Sequence, residues 1–247
     1  MASSTSVAPT TVVTLRIGDV LNTSWHLWTK LIGSFGPFYV LAGLPGALLV
    51  ATPHRPGAAL FSGAMGIASI AAGILAFVLY AAVTDAGARV LEGEAPRLGP
   101  SFGVALRRFW PLFGAMLLYV LAVMLGMILL VIPGIFVMIA LFVVTPACVL
   151  ERTGPVESLK RSAALTRGAG WRLFGLLLIV FLLAAPAPIA RVVMLHFGLG
   201  TVAAAIGQSV VTAVASLFNA CAVLAAYRAL ADAKDGIGGQ RVASVFD

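Results

Sequence analysis

FWPLFGAMLLYVLAVMLGMILLVIPGIFVMIALFVVTPACVL, residues 109–150, runs for 42 positions without one Asp, Glu, Lys or Arg. A single helix needs about 20 apolar residues, at a rise of about 1.5 Å each, to cross the hydrocarbon of a bilayer. The run is twice that length, and Pro133-Gly134 divides it near its middle. It predicts two membrane spans, over 112–132 and 133–150, joined by a tight hairpin. The whole chain has the same character: 61% of residues are hydrophobic, 10% are charged, and the mean hydropathy is +1.06. Globular domains carry about 25% charged residues, so this composition excludes a water-soluble fold. The expected class is all-α, a polytopic helical membrane protein.

C-terminal to the apolar run lies ERTGPVESLKRSAALTRGAGWRLFG, residues 151–175, where charge and helix punctuation meet. Gly154 suits an N-cap, Pro155 the first helical position, and Glu157 the third, facing the positive end of the helix dipole; Gly168 is the stop. Val156, Leu159, Ala163 and Thr166 recur at helical spacing, with Glu157, Lys160, Arg161 and Arg167 pointing elsewhere. This pattern predicts a short amphipathic helix at the membrane surface. Trp171 and Arg172 then form an aromatic and cationic anchor for a fifth span over 173–196, which Pro186 and Pro188 should kink or break toward its far end. A sixth span follows over 201–227.

N-terminal to the run, residues 14–30 carry Ile17, Leu21, Ser24 or Trp25, and Trp28 on one side and Arg16, Asp19, Asn22 and His26 on the other, an interfacial helix. A first span over 31–51 contains Pro37 and Pro45. After a Thr-Pro-His-Arg-Pro-Gly turn, a second span over 58–83 displays Ser62, Gly66, Ser69 and Gly73, a small-residue stripe expected to admit another helix closely. The polar connection 84–108 ends in a third amphipathic piece with Phe102, Leu106 and Phe109 at helical spacing.

The expected organisation is therefore a disordered cytoplasmic tail over 1–13, one membrane domain over 14–230, and a cytoplasmic tail over 231–247. Fourteen of the sixteen Lys and Arg lie on the side that holds both termini, and only Arg55 and Arg191 on the other. The positive-inside rule then places both termini in the cytoplasm. Trp110-Pro111-Leu112-Phe113-Gly114 is echoed by Trp171-Arg172-Leu173-Phe174-Gly175 and more weakly by Phe35-Gly36-Pro37. Either Trp, Phe, Leu and Gly simply recur at membrane entries, or the chain holds three parallel units, each an interfacial helix, a span, an outer turn and a span, related by an axis along the membrane normal.

Chemistry is sparse. His26, His54 and His196 share no helix face; Cys148 and Cys221 lie within apolar runs without metal-ligand spacing; no phosphate loop, HExxH or nucleophile elbow occurs. No catalytic residue, cofactor or metal is expected. Asp85 and Glu151, at the cytoplasmic ends of spans two and four, have two readings, pairing with nearby arginines or capping the interface. Arg191 either snorkels to the outer surface or plugs an outward cavity. The polar stripe Gln208, Thr212, Ser216 and Asn219 on the last span has two readings, interhelical hydrogen bonding or the lining of a path for a small polar solute or lipid headgroup.

Residues 131–175 resemble the integral-membrane domain that precedes the catalytic domain of some bacterial glycerophosphoryl diester phosphodiesterases, and related stand-alone six-span membrane proteins. The shared features are Pro133-Gly134, Pro146 before Glu151, Ser-x-x-Leu-Thr-Arg-Gly over Ser162 to Gly168, and Trp171. The resemblance implies the fold and a bacterial inner-membrane location but no reaction, since the chemistry of the fused enzymes belongs to a separate barrel domain with metal-binding carboxylates. The expected function is a non-catalytic inner-membrane protein that contacts anionic lipid or serves as a scaffold or envelope component. The candidate headgroup contacts are Arg107, Arg108, Lys160, Arg161, Arg167 and Arg172. A second copy or another membrane protein is an open partner, and nucleic acid is not expected. The alternative is a transporter or channel-like protein for a small solute or lipid, using the polar stripe.

Overall fold

The computed structural model describes residues 16–51 and 59–246, with side chains over 16–49 and 63–235. Among the described residues there are ten helices and no strand: α1 (Ile17–Ala51), α2 (Ala59–Leu91), α3 (Leu98–Arg107), α4 (Phe109–Leu129), α5 (Val131–Ala140), α6 (Val144–Leu150), α7 (Pro155–Thr166), α8 (Gly170–Ala184), α9 (Pro186–His196) and α10 (Thr201–Phe246). Six stretches are long and apolar enough to cross a membrane: α1, α2, α4, α5 with α6, α8 with α9, and α10. The tail 1–13, Ser62, and the turn holding His54 and Arg55 lie outside the residues described with side chains.

The core is α1 packed between α10 and α2. Val20, Ser24, Leu27, Leu31, Phe35, Tyr39 and Ala42 are all buried, in steps of three and four that make one continuous stripe along a helix. The stripe passes Lys30 without interruption, so the expected interfacial helix and first span are a single helix, which continues through Pro37 and Pro45. α1 and α10 are antiparallel, with Ala47 beside Ala205 at one end and Val20 clustered with Tyr227 and Leu230 at the other. The small-residue stripe of α2 does not make the close crossing expected of it. A Cβ on Gly66 or Gly73 would meet nothing within 4 Å, whereas one on Gly87 would lie 2.5 Å from Leu224 Cδ2. α2 and α10 therefore meet nearer the charged end, where α2 runs on to Leu91.

Within the uncharged run the hairpin turns at Leu130, which is extended (φ −169°, ψ 149°), three residues before Pro133. Pro133 sits in the first turn of α5, where a missing N–H costs no intrahelical bond. Gly134 serves close approach instead: a Cβ on Gly126 would lie 3.0 Å from the Gly134 Cα. The fourth span is itself broken, between α5 and α6, and the fifth breaks at Ala185 before Pro186 as expected. α10 stays helical to Phe246, through most of the segment read as a tail.

The three units pack in cyclic order. Near the start of the first span Phe38 meets Phe102 of α3, with ring centroids 6.5 Å apart. At Gly114 of α4 a Cβ would lie 3.1 Å from Pro155 Cγ of α7, and at Gly175 of α8 one would lie 3.4 Å from Ile17 Cδ1 of α1. Each unit's span thus rests on the amphipathic segment of the next. Trp110 and Trp171 are both the second residue of their helices, and each makes an edge-to-face contact with the Phe three positions on.

Gly126→Val should push α4 and α5 apart and lower stability by about 1–3 kcal/mol, while Gly73→Ala, in open space, should leave it unchanged or slightly raised. Equilibrium unfolding in mixed micelles measures both, and equal destabilisation by the two substitutions would contradict this packing.

Candidate functional site

α7 begins and ends where its residues dictate. The Glu157 carboxylate accepts the Gly154 N–H at 3.3 Å, which is the reciprocal arm of a capping box. Gly168 terminates the helix at φ +88°, a left-handed conformation that glycine adopts without steric cost. Its buried face, however, is Ser158, Ser162, Leu165 and Thr166, and Val156 is 55% exposed. The helix is turned by about one position from its most apolar face.

The broken fourth span explains that turn. Ser162 Oγ donates to the Ala140 carbonyl at 3.0 Å and accepts from the Val143 N–H at 3.3 Å; Thr166 Oγ1 shares its one proton between the same carbonyl and the Ser162 carbonyl of its own helix, each at 3.0 Å. In apolar surroundings a helix break leaves backbone groups that need partners, and α7 supplies them from its hydroxyl face.

The other side of α7 forms an ion-pair node. Arg161 Nε donates to Glu151 Oε1 at 2.7 Å, and its guanidinium also reaches Asp235 Oδ2 at 2.7 Å. Tyr227 donates its hydroxyl to the same Glu151 oxygen at 2.7 Å. The hydrogen bond to Asp235, then that to Glu151, raises the Arg161 pKa, holding the guanidinium charged. Lys234 of α10 donates to the Ala164 carbonyl, and to the Arg167 carbonyl at 3.0 Å, and so caps the helix end. On α2, Asp85 accepts from Arg89 at 2.9 Å and from Ser101 of α3 at 2.8 Å, and Arg228 pairs with Glu92 at 2.8 Å. The pairing of Asp85 and Glu151 with arginines is one of the two readings the sequence allows.

The candidate cations are therefore divided. Arg161 is engaged by carboxylates. Arg107, Lys160 and Arg167 are exposed, and none of them forms an ion pair among the described residues. Arg108 lies within electrostatic range of the Cys148 thiol. Arg172 lines a groove of about 450 Å³ between α5 and the α7–α8 junction, whose walls are Ile132, Ile135, Phe136 and Ile139 on one side and Gly168 to Trp171 on the other. Trp171, 86% exposed, stands at its mouth. Near Glu92, a cleft of about 420 Å³ mixes Arg16 and Arg228 with Asp19, Glu92 and Asp232; its acids outnumber its bases.

The polar stripe of α10 is only partly brought together. Thr212, Ser216 and Asn219 line a void of about 120 Å³ against Val180, Ala184 and Ala187. Gln208 stands apart, its Oε1 buried without a hydrogen-bond partner among the described residues. Asn219 also lines a larger cavity of about 400 Å³ with Tyr80, Tyr119 and Thr145. Sequence reasoning passed over these three, and the available signal was the placement of tyrosines: Tyr39, Tyr80, Tyr119 and Tyr227 all fall inside apolar runs.

These features define a multi-pass helical membrane protein with its charges gathered where amphipathic helices lock onto span ends. No family model, no curated protein and no solved structure matches the chain.

Arg161→Ala leaves Glu151 and Asp235 without their shared cation, and should destabilise the protein by about 1–3 kcal/mol. Arg161→Lys should recover only part of this, because one ammonium replaces a fork that reaches two carboxylates. Thermal unfolding at neutral pH checks the order wild type, lysine, alanine.

Proposed function

We propose that this protein is a non-catalytic component of a bacterial inner membrane, with both termini in the cytoplasm, that holds an anionic phospholipid at the groove between α5 and the α7–α8 junction. The observation that carries the reading is the composition of that groove. Its apolar wall of Ile132, Ile135, Phe136 and Ile139 suits acyl chains, and Arg172 and Trp171 stand where a headgroup would lie. Arg167, one residue before the groove's glycine turn, adds an exposed cation. The excess of Lys and Arg on one side of the six spans supports the orientation, and the resemblance of residues 131–175 to the phosphodiesterase-associated membrane domain supports the inner-membrane location. Neither supports a reaction.

A basic residue at an anionic surface contributes about 1 kcal/mol, roughly fivefold in affinity. Arg172→Gln should therefore lower phosphatidylglycerol retention about fivefold, and the pair Arg167→Gln, Arg172→Gln about twentyfold or more, with phosphatidylcholine retention unchanged. Native mass spectrometry of protein purified from mixed nanodiscs reads this directly; equal retention of the two lipids by wild type and double variant would reject the site.

A solute path is the second reading, favoured by the void that Thr212, Ser216 and Asn219 share. It predicts that cysteines placed at positions 212 and 216 react with aqueous thiol reagents in intact vesicles, and protection from both sides would rule it out.

A further inference from the structure

The cavity of about 400 Å³ among α2, α4, α6, α8 and α10 has a different chemistry from the phospholipid groove. Tyr80, Tyr119, Thr145 and Asn219 contribute its polar wall. Among the described residues none of the four side chains donates or accepts a hydrogen bond. The Tyr39 hydroxyl, near Tyr80 but outside the cavity wall, is fully buried without a partner among the described residues. In an apolar medium an unbonded hydroxyl or amide costs about 2–7 kcal/mol. Several converging on one space indicate a site completed by something that brings oxygen acceptors.

The rest of the wall selects what that is. Among the described residues no Asp, Glu, Lys, Arg or His lines the cavity, so a phosphate, carboxylate or ammonium would enter without a counter-charge. Phe77 and Phe142 supply flat apolar surface. Met116 is 41% exposed on the flank of α4, so the cavity reaches the outside of the bundle where acyl chains would lie. The volume lies within the range of small-molecule sites, about 300–1,000 Å³, enough for a head and the first part of a tail.

We propose that this cavity binds one uncharged lipid, entering sideways from the bilayer, whose head carries two or more carbonyl or hydroxyl oxygens that accept hydrogen bonds from Tyr80, Tyr119, Thr145 and Asn219. Diacylglycerols and prenyl quinones share this chemistry.

The test uses the full-length protein in detergent, titrated with dioctanoylglycerol and, separately, with a decyl-substituted benzoquinone. Saturable binding of the first assigns a glycerolipid and of the second a quinone, and either supports the site. Each lost hydrogen bond is worth about fivefold, so Tyr119→Phe and Thr145→Val should each weaken binding about that much, and Asn219→Leu more. The first two remove only a polar atom and keep shape, so they carry the test even where Asn219→Leu fails to fold. Arg172→Gln should leave these titrations unchanged, which separates this site from the phospholipid groove. Saturation by neither probe, or equal binding by wild type, Tyr119→Phe and Thr145→Val, would overturn the proposal.

Discussion

Ser162 and Thr166 both donate to one acceptor, the Ala140 carbonyl at the end of α5. The rest of the charged end follows from that bond pair. With its hydroxyls turned inward to the broken span, α7 has one rotation available, and that rotation directs Arg161 to Glu151 and Asp235. The same seat brings the end of α7 to Lys234 of α10. One backbone requirement in an apolar medium thus fixes a helix, an ion-pair node and the approach of α10.

The same preference recurs in all three amphipathic segments. α1 buries Val20, Ser24 and Leu27 while Trp25 is 56% exposed; α3 buries Ser101 and Ala105 while Leu106 is 60% exposed; α7 buries Ser158 and Ser162 while Val156 is 55% exposed. Each packed face is offset by one position from the most apolar face. In water the greasiest stripe turns inward. Against lipid it gains nothing by doing so, and small or hydroxyl-bearing residues take the protein side because they permit close approach and hydrogen bonds.

That physics separates what was legible from what was not. Helix punctuation is local, so Gly154, Pro155 and Gly168 around α7 and Pro186 in the fifth span could be read directly, as could the six apolar stretches. The packed faces were not legible, because the apolar periodicity of these segments was read as a stripe meeting the membrane, which leaves the side that meets the protein unspecified. The hairpin was placed at Pro133-Gly134 because both residues commonly punctuate helices, whereas proline is tolerated in a first turn and glycine is here needed against Gly126. The candidate site divided in the same way. Arg172 and Trp171 were legible as an anchor, but the partners of Arg161 lie on two other helices, and the cavity beside Asn219 depends on tyrosines contributed by α2 and α4.

The cyclic order of the three units also accounts for where space is left. Units one and three interlock along α1 and α10, where Gly43, Ala47 and Ala205 allow contact, and α2 closes on α10 at Gly87. Unit two is held differently: α4 packs against α5, α6 and α7, its own hairpin partner and the next amphipathic helix. Most of its length presents large apolar side chains outward, from Phe113 to Leu129. Unit two reaches unit one through α3 and α6 on α2, but α4 itself is held mainly by its hairpin partner and the surface helix, which leaves the wedge between α4, α8 and α10 unfilled. That wedge is where Tyr119 and Asn219 face a common cavity. The unfilled space is thus a consequence of how the second unit is tethered, and the polar side chains in its wall are what distinguish it from a simple packing gap between lipid-facing helices.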